Sequence, residues 1–234
     1  MKNTPVWLFD EMKHVGVDYS AQNVVEDYDN RHQGFRNFKQ EATQIYNDLN
    51  LSAESIIVDL GCGTGGLSIH LARMCKHVYA VDISKEMLAV LEKKATQKSI
   101  KNITTTHAGF LTYDHKGEQA DAIISNVALH HLPDFWKQLA LCNFYEILKP
   151  GGKLFLGDVV FGFQPKEYEN EINDWLNNMR NLAGDAMADE AITHVRDEYS
   201  TWDWIMWGML ERAGFTVNKK LEVMKNTCAY ICTK

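Results

Sequence analysis

Four glycines fall within eleven residues in VDLGCGTGGLS, residues 58–68, directly after a β-branched run. Such a cluster marks a tight turn or a ligand pressed against the backbone, because glycine tolerates left-handed dihedrals and close approach at a cost in chain entropy. Gly61, Gly63 and Gly66 fit G-x-G-x-x-G, and Asp82 follows Gly61 by 21 residues. Taken literally, that meets the dinucleotide-binding pattern. Asp59 changes the chemistry. A carboxylate two residues ahead of Gly61 repels a pyrophosphate brought over the same loop and attracts a cation such as an ammonium. Asp82, at the tip of the second strand, is placed to accept two hydroxyl hydrogen bonds from a ribose. The pair points to a ligand with a ribose, an ammonium and no phosphate, a description that S-adenosylmethionine fits. A nicotinamide dinucleotide is the alternative.

Other reactive side chains are sparser. His130 and His131, in NVALHHL, follow the fourth strand on the side where the ligand is expected. His130 is the candidate base or substrate orienter, and His131 is expected to face differently. Adjacent side chains are expected to diverge and no third ligand is evident, so no metal is expected. Cys62, Cys75, Cys142, Cys228 and Cys232 are odd in number and match no disulfide or zinc spacing, which reads as reduced thiols in a cytoplasmic protein. Trp175, Trp204 and Trp207 mark a substrate pocket, a dimer surface or satellite packing.

The elements that must carry these groups alternate. Runs at 56–61, 77–82, 103–107, 121–126 and 153–160 are short, apolar or β-branched, and helix-like segments separate most of them. That alternation implies parallel strands covered on both faces. The last two runs, FTVNKKLEV and TCAYICT, are separated by MKN alone, too short for a parallel crossover, so they should form an antiparallel hairpin. Residues 4–50 read as helices. Thr4-Pro5 opens the first, Ser20 caps a short second through Tyr28, and Phe35, Phe38, Ala42, Ile45 and Leu49 stripe the third. Residues 161–198 read as a helical insertion.

The segments VDLGCGTGGLS, VYAVDISKEML, HAGFLTYD, DAIISNVALHHL and EILKPGGKLFLGDV, in that order, resemble the motifs of the class I S-adenosylmethionine-dependent methyltransferases. The resemblance implies a three-layer α/β/α sandwich on a seven-stranded, mostly parallel sheet of order 3-2-1-4-5-7-6 with a C-terminal antiparallel hairpin. It implies one domain over 1–234: a helical lid at 1–50, a cofactor-binding core at 51–160, an insertion over the acceptor site at 161–198, and a final helix and strands at 199–234. It assigns Gly61, Cys62 and Gly63 to the cofactor's amino-acid end, Asp59 to its ammonium and Asp82 to its ribose. Ile83 and Met87 become the adenine wall, Gly109 and Phe110 adenine contacts, Asn126 a carbonyl near the ammonium or sulfonium, and Tyr28 a lid contact. Many relatives carry an acid where this chain has Phe110, so the adenine is expected to meet the Phe110 N–H and stacking instead. The implied reaction is in-line methyl transfer to a small-molecule acceptor, releasing S-adenosylhomocysteine; the alternatives are a protein or tRNA acceptor, or a binding module without chemistry.

The bulk numbers agree with a soluble globular chain: 234 residues, 45% hydrophobic and 24% charged. A net charge of −7 disfavours nucleic acid as a partner. The N-terminus has no signal-peptide pattern, and no apolar run approaches a membrane span. A homodimer is possible.

Overall fold

A computed structural model describes residues 5–13, 15–16, 25, 28–29 and 36–234. Ser20, Phe35 and Thr4, expected in helices, lie outside the described residues. The first expected helix does not form where the chain is described: residues 5–13 are turns and bends. A helix that short is marginal without docking, and here the docking is done by single side chains. Trp7 stacks on Trp136 at 6.4 Å and Phe9 lies 6.2 Å from the same ring.

The sheet runs through β1 (Ile56–Leu60), β2 (His77–Asp82), β3 (Ile103–His107), β4 (Ala120–Asn126) and β5 (Leu148–Phe161) to β7 (Thr216–Met224) and β8 (Thr227–Thr233). Its order is β3-β2-β1-β4-β5-β8-β7. Five strands are parallel, and β8 returns antiparallel between β5 and β7. The expected arrangement is present, with one addition. β6 (Thr201–Trp202) pairs parallel to Val160 and Phe161 of β5. β4 covers β5 only as far as Gly157, so the overhanging end of the longer strand has backbone groups to satisfy. β6 satisfies them, and it fixes where residues 198–200 lie.

Helices cover both faces. On one, Ala42 and Ile45 of α1 (Phe38–Asp48), Leu71 of α2 (Ser68–Leu71) and Leu88 and Leu91 of α3 (Lys85–Gln97) pack on Ile57, Val78 and Ile124. On the other, Phe144 of α4 (Asp134–Ile147) and Met206 and Leu210 of α7 (Asp203–Arg212) pack on Val58, Leu60 and Ile123. Alternate residues of β1 thus feed opposite cores, which is why the strand sequence is continuously apolar. Each fully buried aliphatic side chain here contributes roughly 1.5–3 kcal/mol of transfer free energy.

The insertion is a helical hairpin, α5 (Tyr168–Ala183) and α6 (Asp185–Arg196). Trp175, Met179, Met187 and Ala188 form its core with Val159 at the far end of β5.

Candidate ligand-binding site

The order of the sheet reverses between β1 and β4, and ligand crevices in open α/β sheets form outside the strand ends at such a switch point. The Gly61 and Cys62 N–H groups both donate to the Val81 carbonyl, at 2.9 and 3.0 Å, locking the turn after β1 to β2. Gly61 has φ +76°, and a Cβ there would overlap that of Ala128. Gly63, at φ +52°, has nothing within 4 Å of where its Cβ would stand. The first glycine is thus demanded by the fold, and the second leaves a bare backbone face. That face borders two adjoining cavities, both lined by Tyr28, Gly61, Gly63 and Val127. The larger surrounds about 830 Å³ of space that is partly open to solvent.

Asp59 lines the smaller cavity with Cys62 and Asn126. Its Oδ2 accepts a 2.5 Å hydrogen bond from Ser68 Oγ. Burial pushes its pKa up to about 6, with the Ser68 bond opposing and the Asp82 charge adding to the rise. Among the described residues, no cation forms an ion pair with it. Asp82 lines the larger cavity. Its Oδ2 accepts from the Gly63 N–H at 2.7 Å and its Oδ1 from the Ser84 N–H at 2.8 Å. The carboxylate is therefore oriented by the loop it serves. Asn126 ends β4, and Val127 turns away with φ +55°, a rare conformation for a β-branched residue.

Ile83, Met87, Gly109 and Phe110 all line the larger cavity. Met87 is also buried, its N–H capped by Ser84 Oγ at the start of α3. Glu11, which sequence reasoning missed, also lines it. Its carboxylate accepts the N–H groups of Leu111 (2.9 Å) and Thr112 (2.7 Å) and lies against Gly109. Burial raises its pKa despite those bonds. A carboxylate thus reaches the turn after β3 from a hundred residues away. Tyr28 stands between the cavities, where burial pushes its phenol up to about 12. Its neighbour Asp29 accepts from Thr64 Oγ1 at 2.6 Å and pairs with Lys94.

The histidines correct one expectation. Their rings do not diverge: the centroids are 4.4 Å apart in the 3-10 turn Leu129–His131. His131 lines the larger cavity, whereas His130 is 1% exposed and lies behind it, Nδ1 2.5 Å from Asp158 Oδ1. A third potential ligand is present as well. Glu198 sets Oε2 3.2 Å from His130 Nε2 and Oε1 3.9 Å from His131 Nδ1, and His194 Nδ1 is hydrogen-bonded to the same carboxylate. Burial pulls the His130 pKa down, but Asp158 and Glu198 outweigh it and carry it up to about 9. Burial and the His130 charge pull His131 down to about 3. Burial would raise Glu198, but the His130 and His194 imidazoles against it hold it well below the ordinary range. Beside the adjacent histidines, the four-residue spacing from His194 to Glu198, just past the end of α6, is the further sequence signal of this cluster.

Among the described residues, neither α5 nor α6 lines either cavity. Trp175 is satellite packing, and Trp204 is 65% exposed. Trp207 donates to Glu211.

Fold and crevice together define a Rossmann-like domain with a cavity at the switch point of its sheet. Residues 57–152 match the family described as "Methyltransferase domain". An uncharacterized methyltransferase of Bacillus cytotoxicus is 27% identical over 216 residues, covering 90% of this chain and 89% of that one. A SAM-dependent methyltransferase from Aquifex aeolicus superposes with a TM-score of 0.64 at 18% identity, covering 91% and 98%. The magnesium protoporphyrin IX methyltransferase of Synechocystis, solved with bound SAH, gives 0.62 at 18% identity, covering 96% and 91%. The domain match, the methyltransferase relatives and the shared fold together support a class I S-adenosylmethionine-dependent methyltransferase.

Proposed function

We propose that this chain transfers the methyl group of S-adenosylmethionine to a small-molecule acceptor. The observation that carries the reading is Asp59: a buried carboxylate, charge-unpaired among the described residues, beside the bare Gly63 backbone and a second carboxylate. A buried anion without a cation is costly, and a ligand ammonium removes that cost. A diphosphate would increase it.

On this reading Asp59 and Asn126 hold the amino-acid end of the cofactor, with Gly61, Cys62 and Gly63 as its backbone cradle. Asp82 holds the ribose hydroxyls. Ile83 and Met87 wall the adenine, while Gly109, Phe110 and Glu11 border its edge. When bound, the sulfonium supplies an electrophilic methyl carbon, to which an acceptor lone pair bonds as the carbon–sulfur electrons return to sulfur. The chain's own part is alignment and water exclusion, and such positioning supplies on the order of 7–11 kcal/mol. Glu11, Lys13, Val15 and Tyr28 border the crevice, and the cover favours a small acceptor over a macromolecular one.

The test is thermal shift. S-adenosylhomocysteine at about 100 times its Kd should stabilise the chain by about 2.7 kcal/mol, raising Tm by roughly 5–10 °C. NADH should leave Tm unchanged, and Asp82→Ala should abolish most of the shift. A chain that ignores the nucleoside, or responds equally as Asp82→Ala, overturns the reading. Methylated products from a metabolite pool, read by mass spectrometry, test the acceptor class.

A further inference from the structure

Asp158, His130 and Glu198 form a line that one proton satisfies poorly. With the His130 Nδ1–H donating to Asp158, the lone pair of Nε2 faces the Glu198 carboxylate 3.2 Å away. Two electron-rich atoms at that distance repel unless a positive centre lies between them. Nε2 is buried and has no hydrogen-bond partner of acceptable geometry, so the positive centre between them is either a poorly aligned second ring proton or a bound cation. The surroundings suit a larger cation. His130 Nε2, His131 Nδ1 and the Glu198 carboxylate lie within 4.8 Å of one another. A tetrahedral ion with ligands near 2.0–2.1 Å needs donor separations of about 3.3 Å, so the widest pair must draw together by up to about 1.5 Å, which side-chain rotation of His131 and Glu198 can supply.

We infer that His130, His131 and Glu198 bind a first-row divalent cation of borderline softness, Zn²⁺ or its analogues Co²⁺ and Ni²⁺, at the wall of the larger cavity. Two imidazoles and one carboxylate select such ions over Mg²⁺ and Ca²⁺, which prefer all-oxygen shells. Asp158 behind His130 is the outer carboxylate that fixes the tautomer of a metal-bound imidazole. His194 orients Glu198 in the same way. The backbone is built to hold the set. The Tyr199 N–H donates to the His130 carbonyl at 2.9 Å, and Thr201 Oγ1 bonds Asp134 at the start of α4. The three side chains fill three positions of a tetrahedral ion. The fourth is left for water or a heteroatom of a molecule in the cavity that His131 lines.

The experiment uses the full chain, stripped with a chelator and dialysed. Zn²⁺ is titrated against a chromophoric chelator, and Co²⁺ uptake is followed by visible absorption. The expected result is one ion per chain, with the absorption of a tetrahedral Co²⁺ site and no competition from Mg²⁺. His131→Ala, at a side chain 24% exposed and so tolerated by the fold, should weaken affinity by 100-fold or more, since even outer-shell losses cost about 10–100-fold. Asp158→Asn should fall in that outer-shell range. Circular dichroism verifies folding. If a buried variant does not fold, the cobalt spectrum of the unaltered chain against that of His131→Ala decides. No uptake against the chelator, or uptake equal in His131→Ala, overturns the inference and leaves a buried ion network. None of these readouts requires methyl transfer, so the two proposals fail separately.

Discussion

Ser68 Oγ donates a 2.5 Å hydrogen bond to Asp59 Oδ2 where both side chains are buried. That bond offsets only part of the burial penalty, because the Asp59 pKa still rises to about 6. A raised folded pKa fixes the sign. The neutral carboxyl contributes stability that is fully present below the unfolded value near 3.8 and is lost as pH rises through about 6. Asp59→Asn cannot lose a proton. Its stability relative to the unaltered chain should therefore climb between pH 4 and 7.5, by on the order of 2–3 kcal/mol. Denaturant titrations at both pH values measure this; a constant difference would remove the argument. Ligand binding should run the other way. An ammonium favours ionised Asp59, so affinity should tighten toward pH 7, with proton uptake or release seen calorimetrically in buffers of different ionisation enthalpy.

Glu11 and Gly109 should be coupled. The carboxylate reaches the Leu111 and Thr112 N–H groups by crossing the α-carbon of Gly109, where a Cβ would displace it. Glu11→Ala and Gly109→Ala should each release the N-terminal segment, and their combination should cost little more than either alone. Residues in contact give interaction energies of about 0.5–3 kcal/mol. Limited proteolysis near residue 13 and S-adenosylhomocysteine affinity read the cycle. Additive losses would mean that the two positions act separately.

These two sites differ in how far sequence could reach them. Gly61, Gly63 and Asp82 are legible because one turn and the next strand tip carry all three, and spacing alone places them together. The alternation of strands and helices gives a parallel sheet, and the three-residue gap before TCAYICT gives the antiparallel end. Glu11 over Gly109 is not legible, since nothing local to either position announces the other. Glu198 meets His130 only because β6 fills the overhang of β5, and a two-residue strand has no period to detect. The expectation that neighbouring histidines diverge failed for a related reason. A 3-10 turn fixes where side chains start, whereas the Asp158 and Glu198 carboxylates, brought from distant elements, decide where the His130 ring ends.

Val127 stores strain beside the crevice. Its φ of +55° follows from the turn that leaves β4, held by the Val127 N–H bond to the Gly157 carbonyl at 2.7 Å. Non-glycine residues in left-handed conformations cost of order 1–3 kcal/mol, and asparagine tolerates that region better than valine. Val127→Asn should stabilise the ligand-free chain by about 1 kcal/mol, which at this length is a Tm rise of roughly 2–4 °C. An unchanged or lower Tm would show that packing of the valine outweighs its backbone cost.

Thr64, Asp29 and Lys94 close a triangle that ties the N-terminal segment to the glycine turn. Thr64 Oγ1 donates to Asp29 at 2.6 Å, Lys94 pairs with the same carboxylate, and Lys94 Nζ donates to the Thr64 carbonyl at 3.0 Å. Thr64 is buried, so its bond is not shared with bulk water, while the ion pair is partly exposed and weaker than its geometry suggests. Thr64→Val keeps shape and volume and deletes only the hydroxyl. A hydrogen bond to a charged partner contributes about 1.5–3 kcal/mol, and the Lys94 pair should retain part of the latch. Amide exchange around Tyr28 and Asp29 should therefore accelerate about tenfold or more, with global Tm moving little, because local opening does not pass through global unfolding. Tyr28 borders both cavities, so the same variant should release S-adenosylhomocysteine faster in stopped-flow measurements. Exchange at those amides equal to that of the unaltered chain would show that the segment is held by its aromatic docking on Trp136 and not by the glycine turn.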